Sequence, residues 1–235
     1  MLSPALKAFH EKVYVLTTHA ATERQQAVID ELGEGNFEFV YGIDKQTTSI
    51  EEMTRTGVYK RTTVISQAVD RTFPPMTLGH ICCAIGHRMV WEKFLETDAQ
   101  KALIFEDDLV SHGVPENEIE VMLRRAPPDA EIIYWGWWLG RFRPWSRIAQ
   151  QGIDHMRSAL GLYPDTHTQI RNRFMKRYNK YYHTSAGNYL LHAYTLTRSG
   201  AETMIEMNTP IVMNSDHVPI KAIEHGDMRG YVARS

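Results

Sequence analysis

The order of apolar and polar positions along the chain predicts strands that alternate with helices. Residues 12–16 (KVYVL) predict a first strand, and residues 23–32 predict a helix that ends at Gly33. Residues 37–41 (FEFVY) predict a second strand. Because a strand, a helix and a strand follow one another, we expect the two strands to pair in parallel with a right-handed crossover.

The same alternation continues further along the chain. Residues 77–97 carry apolar side chains at helical spacing and precede an apolar run at 101–105 (KALIF). Residues 131–139 (EIIYWGWWL) and 189–197 (YLLHAYTLT) predict two more strands, and residues 200–207 predict a helix after the second. This order is typical of a sheet that is covered by helices.

Length and composition agree with that architecture. The chain has 235 residues, of which 43% are hydrophobic, and it can therefore bury one full-sized core. We expect a single α/β domain over residues 1–235, with a mostly parallel, mixed and twisted sheet and helices on both faces. Residues 141–183 contain Pro144 and Pro164 and are expected to form an irregular excursion from this sheet.

Charge is distributed unevenly along the chain. The net charge is -2, yet residues 141–180 contain nine Lys or Arg and only Asp154 and Asp165 as acids, a net charge of +7. A basic segment of this kind can bind the phosphates of a nucleotide or a lipid-linked sugar, or contact an anionic membrane peripherally. The alternative is a solvated helix without a partner.

Cysteine usage and hydropathy indicate the compartment. Cys82 and Cys83 are adjacent, which suits neither a disulfide framework nor a CxxC metal site, so we expect buried reduced thiols. No apolar run approaches the length of a membrane span, and Lys7 and Lys12 precede any signal-like apolar core. We expect a cytoplasmic, soluble protein that could lie peripherally on the inner membrane face.

Three consecutive carboxylates follow the apolar run KALIF, at Glu106, Asp107 and Asp108. Open α/β sheets bind ligands at the carboxyl ends of their strands. Side chains alternate along an extended segment, so Glu106 and Asp108 should point to one side and Asp107 to the other. Two carboxylates on one side can share Mn²⁺ or Mg²⁺. The alternative is a solvated acidic turn.

Several segments, taken in order, resemble glycosyltransferase family 25, which comprises lipooligosaccharide galactosyltransferases and collagen-modifying relatives with a GT-A fold. They are VYVLTTHAATER, FEFVYGIDK, LGHICCAIGHRMVWEKF, ALIFEDD, IIYWG, and HAYTLTRSGAETMI followed by PIVMNSD. Together these segments cover most of the chain.

The resemblance implies metal-dependent, inverting transfer of a hexose, with galactose as the first expectation. The expected donor is a UDP-sugar, and the expected acceptor is a cell-envelope glycan or lipid-linked glycan such as lipooligosaccharide, not a nucleic acid. It also implies a DxD-type motif at 106–108, in which Glu106 and Asp108 hold Mn²⁺ or Mg²⁺ and Asp107 lies near the donor.

Further residues near the donor follow from the same resemblance. Arg24 and Asp44 are implied to lie near the nucleotide, because the ends of the first two strands form its pocket in this fold. An exposed helix side chain and a turn former are their respective alternatives. His87 matches a family histidine and shares a helical stripe with the residues four before and four after it. It is expected to contact the donor, and a hydrogen-bonded core histidine is the alternative.

Two departures from the family pattern leave competing hypotheses open. Thr17, expected beside the donor, stands where the family has Asn, and His80 stands where it has an acid. A changed donor sugar or altered activity could result. The competing hypothesis is a non-catalytic protein of the same fold that binds nucleotide sugars or carbohydrates. An acidic-site phosphotransferase or nuclease is a second competitor, against which the lack of a P-loop counts.

Asp216 is the candidate general base. A single inverting displacement needs one base within reach of the acceptor hydroxyl and no covalent nucleophile. Asp216 follows PIVMNS and opens a predicted helix, so its alternative role is a helix N-cap. His217 and His225 lie close by in sequence and could complete the metal shell, whereas surface histidines are the alternative.

Overall fold

The computed structural model describes residues 1–62, 64–66, 71–73, 75–110, 113–138, 140, 142 and 144–234. The strands within these residues are β1 Lys12–Thr17, β2 Glu38–Tyr41, β3 Val64–Ser66, β4 Arg71–Phe73, β5 Lys101–Glu106, β6 Ile132–Trp138, β7 Tyr182–Thr184, β8 Tyr189–Thr197 and β9 Gly230–Ala233. The helices are α1 Pro4–Phe9, α2 Thr22–Leu32, α3 Ile50–Arg55, α4 Leu78–Leu95, α5 Glu116–Arg124, α6 Ile148–Ala159, α7 His167–Asn172, α8 Arg198–Met207 and α9 His217–His225.

In the described part of the chain, seven strands form one sheet in the order β2-β1-β5-β8-β6-β9-β7. Strand β1 pairs in parallel with β2 and β5, and β6 pairs in parallel with β9. Strands β8 and β7 run antiparallel to their neighbours. The predicted mostly parallel, mixed α/β sheet is confirmed, as is the parallel pairing of the first two strands.

Helices cover both faces of this sheet. Val13 and Val15 of β1 pack with α2 in one apolar cluster, whereas Tyr14 and Leu16 pack in another with α4, α8 and α9. The alternation of β1 thus buries both of its faces, as expected of a strand in the centre of an α/β sheet. Helices on both faces are therefore confirmed.

Helix α4 lies unusually close to β1. The Thr77 side chain caps the helix by accepting a hydrogen bond from the His80 amide at 3.4 Å. At Gly86, an added Cβ would lie 3.0 Å from the Leu16 side chain, so that side chain would have to shift to admit a larger residue. This close approach brings the next residue, His87, to the end of β5.

The prediction of an irregular segment at 141–183 was wrong for much of its length. The segment contains α6, α7 and the start of β7, although residues 141 and 143 lie outside the described residues. The two prolines stand before helices, where the missing amide costs nothing. Thr166 starts α7 with a capping box that involves Gln169.

Two other expectations concern the thiols and the membrane. Cys82 is buried and Cys83 is exposed, and both are free thiols. The prediction of buried thiols is confirmed for Cys82 and wrong for Cys83, because successive residues on a helix face different directions. None of the helices in the described ranges is long and apolar enough to cross a membrane.

Candidate functional site

The carboxyl ends of three parallel strands meet at one edge of the sheet. Leu16 of β1 pairs with Glu106 of β5, and Thr17 of β1 pairs with Tyr41 of β2. The three carboxylates at the end of β5 therefore lie beside the loops that leave β1 and β2. This edge is where open α/β sheets bind ligands.

Asp107 turns toward β1 and is held by the protein on both of its oxygens. The Thr17 hydroxyl donates to Oδ2 at 2.6 Å, and Nη1 of Arg24 lies 2.9 Å from Oδ1. The Asp107 side chain is only 8% exposed, whereas that of Arg24 is 56% exposed. Asp107 therefore fixes the position of Arg24, whose remaining N–H groups face solvent.

Glu106 and Asp108 turn the other way and converge on His192 of β8. Nδ1 of His192 lies 3.1 Å from Oε2 of Glu106 and 3.1 Å from Oδ1 of Asp108. His192 comes to this position because β8 runs antiparallel to β5 and its neighbour Ala193 pairs with Phe105. The three side chains thus divide between two sides, as the alternation predicts.

The electrostatics of this cluster favour a cation between the carboxylates. Burial opposes ionisation of Glu106, but the hydrogen bonds from His192 and His87 outweigh it and hold its pKa well below the usual range. The hydrogen bond to Glu106 raises the pKa of His192 to about 9, with the charges of Glu106 and Asp108 adding to the effect and burial opposing it. At neutral pH the imidazolium of His192 therefore bridges two carboxylates.

His87 supports Glu106 from inside the core. Its side chain is fully buried, with Nε2 3.0 Å from Oε1 of Glu106 and Nδ1 3.0 Å from the hydroxyl of Tyr194. Trp91 donates to the same hydroxyl from Nε1 at 2.8 Å. The two ring nitrogens of His87 thus link Tyr194 to Glu106. The chain of hydrogen bonds fixes the Glu106 carboxylate in one orientation.

Asp216 opens helix α9 without capping it. Its side chain makes no cap hydrogen bond and is 22% exposed, with Oδ1 3.9 Å from Nε2 of His217. The loop that carries it reaches helix α4, where the Ser215 hydroxyl lies 3.6 Å from Sγ of Cys83. The alternative role as a side-chain N-cap is therefore absent, and Asp216 lies in the loop next to the stripe that contains His87.

The remaining candidates, Asp44, His80 and His225, belong to neither group of close metal-ligand atoms among the described residues. The Asp44 side chain accepts a hydrogen bond from the Gln46 amide at 2.9 Å, which is the behaviour of a turn former. His80 is exposed on the first turn of α4 and adds to the lowering of the His217 pKa, which burial dominates. His225 lies in the last turn of α9, opposite the end that carries Asp216.

Two groups of side chains could hold a metal ion, among the residues that the structure describes. The ligand atoms of Glu106, Asp108 and His192 lie within 4.8 Å of one another, as do those of Cys83, His87 and Glu106. The first group offers two carboxylates and an imidazole at the exposed end of the sheet, a donor set that suits Mn²⁺. In the second group, His87 is fully buried and already engaged on both nitrogens. The first group is therefore the better candidate for a divalent cation.

Sequence reasoning missed four residues at this edge. His192 and Tyr194 occupy alternate positions in the run YLLHAYTLT. A histidine inside an apolar strand is the sequence feature that could have identified His192 as a site residue. Their contacts depend on the antiparallel pairing of β5 and β8, which the sequence did not reveal. The rings of His19 and Tyr41 stack at 4.1 Å with an angle of 3° between their planes. This pair lies where β1 and β2 end.

A mixed α/β sheet whose parallel strands end in such an acidic cluster is a GT-A-like architecture. Comparison with protein-family models identifies the family within this class. The model for glycosyltransferase family 25, described as LPS biosynthesis protein, matches residues 10–219. The chain belongs to this family, whose members are glycosyltransferases involved in lipopolysaccharide (LPS) biosynthesis. No individual curated protein matches the chain.

Proposed function

We propose that this glycosyltransferase transfers a hexose, with galactose as the first candidate, from a UDP-sugar to a cell-envelope glycan such as lipooligosaccharide. The proposed reaction inverts the anomeric configuration and depends on Mn²⁺ or Mg²⁺. The observation that carries the proposal is the convergence of Glu106, Asp108 and His192 at the carboxyl end of β5. The match of residues 10–219 to the family supports it.

The donor would lie along the ends of β1, β2 and β5. Arg24 is held in place by Asp107 and retains exposed N–H groups that suit phosphate oxygens. The stacked rings of His19 and Tyr41 offer a flat surface against which a uracil base can pack. Thr17 and Asp107 would act indirectly by fixing Arg24, and Asp44 would shape the turn after β2.

The metal site would consist of Glu106, Asp108 and His192. A bound divalent cation would offset the negative charge that develops on the leaving diphosphate. To ligate it, His192 must give up the proton that it carries at neutral pH. His87 holds Glu106 in the orientation that the site requires, so it acts as a positioning residue and not as a direct donor contact.

Asp216 is the proposed general base. In the transfer step, the acceptor oxygen forms a bond to the anomeric carbon while the bond from that carbon to the UDP oxygen breaks. The acceptor proton passes to the Asp216 carboxylate, and the bonding electrons leave with UDP. One carboxylate is sufficient for this displacement. The lack of a capping hydrogen bond leaves Asp216 available for this role.

The acceptor would be presented at a membrane. We propose that the enzyme works on the cytoplasmic side of the inner membrane and contacts its anionic surface through residues 141–180, whose net charge is +7. This location would bring the enzyme to a lipid-linked glycan.

The direct test is a screen of UDP-sugars with and without Mn²⁺ or Mg²⁺, with UDP release as the readout. We expect release from one UDP-hexose, UDP-galactose being the first candidate, only when a divalent cation is present. An acceptor glycan should accelerate it. Asp108→Asn provides the inactive control, and unchanged release in this variant would contradict the site. Tight retention of the donor without release or transfer would favour the competing binding protein.

A further inference from the structure

Helix α6 shows an inverted distribution of polarity. Its buried residues are the polar Gln151 and Asp154. The apolar Ile148 and Met156 face outward, as does Leu160 directly after the helix, and Met156 and Leu160 are 60% and 67% exposed. A helix on a globular surface ordinarily buries its apolar stripe instead.

The inward face of α6 is held by specific polar contacts. Gln151 donates from Nε2 to the Ile170 carbonyl of α7 at 2.7 Å. Nη1 of Arg173 lies 2.9 Å from Oδ2 of Asp154, and its Nη2 lies 2.8 Å from Oδ2 of Asp165. These contacts fix the rotation of the helix about its axis, so the exposure of the apolar face is built into the fold.

The exposed apolar residues are concentrated in this part of the molecule. Of the eleven large hydrophobic residues that are exposed in the described ranges, seven lie between residues 142 and 162. Trp145 is the most exposed of these seven, at 90%. The seven residues are Phe142, Trp145, Ile148, Ile153, Met156, Leu160 and Leu162. Together with the flanking loops, α6 presents an apolar ridge of these side chains.

The charges around the ridge identify its partner. Asp154 and Asp165 are both buried, and both form ion pairs with the single Arg173. The exposed charges between residues 144 and 180 are therefore all positive; they are Arg147, Arg157, Arg171, Lys176, Arg177 and Lys180. An apolar ridge with tryptophan, flanked by cations and free of exposed carboxylates, fits the interface of an anionic bilayer. A groove of about 730 Å³ opens beside the helix, and its charged lining residues are Arg147, Arg157 and Arg173 together with Asp154 and Asp165.

We infer that α6 is an interfacial membrane-docking helix that inserts its apolar ridge into an anionic lipid surface. Trp145, Met156 and Leu160 enter the boundary between headgroups and acyl chains, while Arg147 and Arg157 pair with lipid phosphates. The inference rests on the proposed function only for its purpose, which is delivery of the enzyme to a lipid-linked acceptor. Vesicle binding needs neither donor nor metal, so its failure is distinguishable from a failure of transfer.

The test is co-sedimentation of the full chain with vesicles of phosphatidylglycerol and phosphatidylcholine. We expect binding at low salt that weakens as salt screens the charges. Met156→Ser/Leu160→Ser should bind about tenfold more weakly, because two apolar side chains no longer leave water. Val110→Ser/Val114→Ser removes two exposed apolar side chains elsewhere and should bind like the wild type. Wild-type protein that does not bind at low salt, or equal losses in the two variants, would overturn the inference.

A second measurement locates the contact. Acyl-chain bromination should quench the tryptophan fluorescence of the wild type, and most of that quenching should vanish in Trp145→Phe, which still binds. Quenching that is unchanged in this variant would contradict insertion of the ridge.

Two further experiments test the contribution of the arginine charges to vesicle binding and the self-association of the chain through the ridge. Arg147→Gln/Arg157→Gln should weaken binding at low salt several-fold and flatten its salt dependence. Analytical ultracentrifugation should give one species near 27.1 kDa. A wild-type dimer that Met156→Ser/Leu160→Ser converts to a monomer, without vesicle binding by either, would assign the ridge to a second copy of the chain and overturn the inference.

Discussion

Asp107 and its two neighbours, Glu106 and Asp108, are the same chemical group at adjacent positions, yet the fold treats them differently. Asp107 is buried, and Thr17 and Arg24 satisfy both of its oxygens. Glu106 and Asp108 share one protonated histidine, which can lose its proton and remain as a ligand. The difference teaches that the alternation of a strand can assign one acid to structure and its neighbours to binding.

The largest effect is expected when one of the two proposed metal-binding carboxylates, Glu106 or Asp108, is removed. Glu106→Gln keeps an oxygen that can accept from His87 but removes the anionic metal ligand. We expect transfer to fall about a thousandfold, the scale of several kcal/mol of metal assistance. The measurement is UDP release in the presence of Mn²⁺, with circular dichroism as the control for folding. Near-normal turnover would place the metal elsewhere.

A third kind of carboxylate, Asp216, sharpens the comparison because none of the residues that the structure describes holds it through a short hydrogen bond or a capping bond. Asp216→Asn should lower the transfer rate by about a hundredfold while UDP-sugar affinity stays the same. Because the side chain does not cap α9, the melting temperature should stay within about 1 °C of the wild type. Turnover close to that of the wild type at saturating donor would remove Asp216 from the mechanism.

The pH dependence of metal binding tests whether His192 is a ligand of the metal. The pKa of His192 is raised to about 9, so the metal-free protein carries this proton below that pH, and metal binding must release it. Apparent Mn²⁺ affinity should therefore rise about tenfold per pH unit between about pH 6 and about pH 8, and level off above about pH 9. His192→Gln should bind more weakly with a nearly flat profile. A steep profile that persists in this variant would exclude His192 as the ligand.

The smallest effect is expected from a substitution of Asp107, the carboxylate that Thr17 and Arg24 hold in place. In Asp107→Asn, the amide oxygen can still accept from Thr17, but the ion pair with the half-exposed Arg24 is lost. Solvent screens that pair, so we expect a loss of about 1 kcal/mol of stability. The melting temperature should drop by about 2–4 °C. Thermal unfolding measures the change, and a collapse of the fold would show that Asp107 carries more of the structure than its contacts indicate.

Much of the main sheet could be predicted because its strands are long apolar runs with clear stops. The strand at Tyr189–Thr197 was predicted with its observed bounds, and Lys12–Thr17 and Lys101–Glu106 within one residue. Strand β9, Gly230–Ala233, was missed because it is short and close to the end of the sequence. Short elements depend on tertiary pairing, which the local pattern does not encode.

The only part of the site that could be predicted is the part that depends on the alternation of side chains along a single strand. The division of the carboxylates followed from the period of the strand, but His192 joins them through pairing with a strand far along the chain. The orientation of α6 about its axis likewise could not be predicted from the sequence. Its apolar spacing is helical, and a periodicity argument would have turned Met156 toward the core. Instead, the buried ion pairs that Arg173 forms with Asp154 and Asp165 hold the polar face of α6 inward and leave Met156 exposed.

The most direct test of the central claim is calorimetric titration of Mn²⁺ into the wild type, Asp107→Asn and Asp108→Asn. The two variants make the same chemical change at adjacent positions, so each is the matched control of the other. Asp108→Asn should lower Mn²⁺ affinity at least about tenfold, whereas Asp107→Asn should leave it within about twofold. Wild-type affinity in Asp108→Asn, or an equal loss in Asp107→Asn, would contradict a metal site built from Glu106, Asp108 and His192.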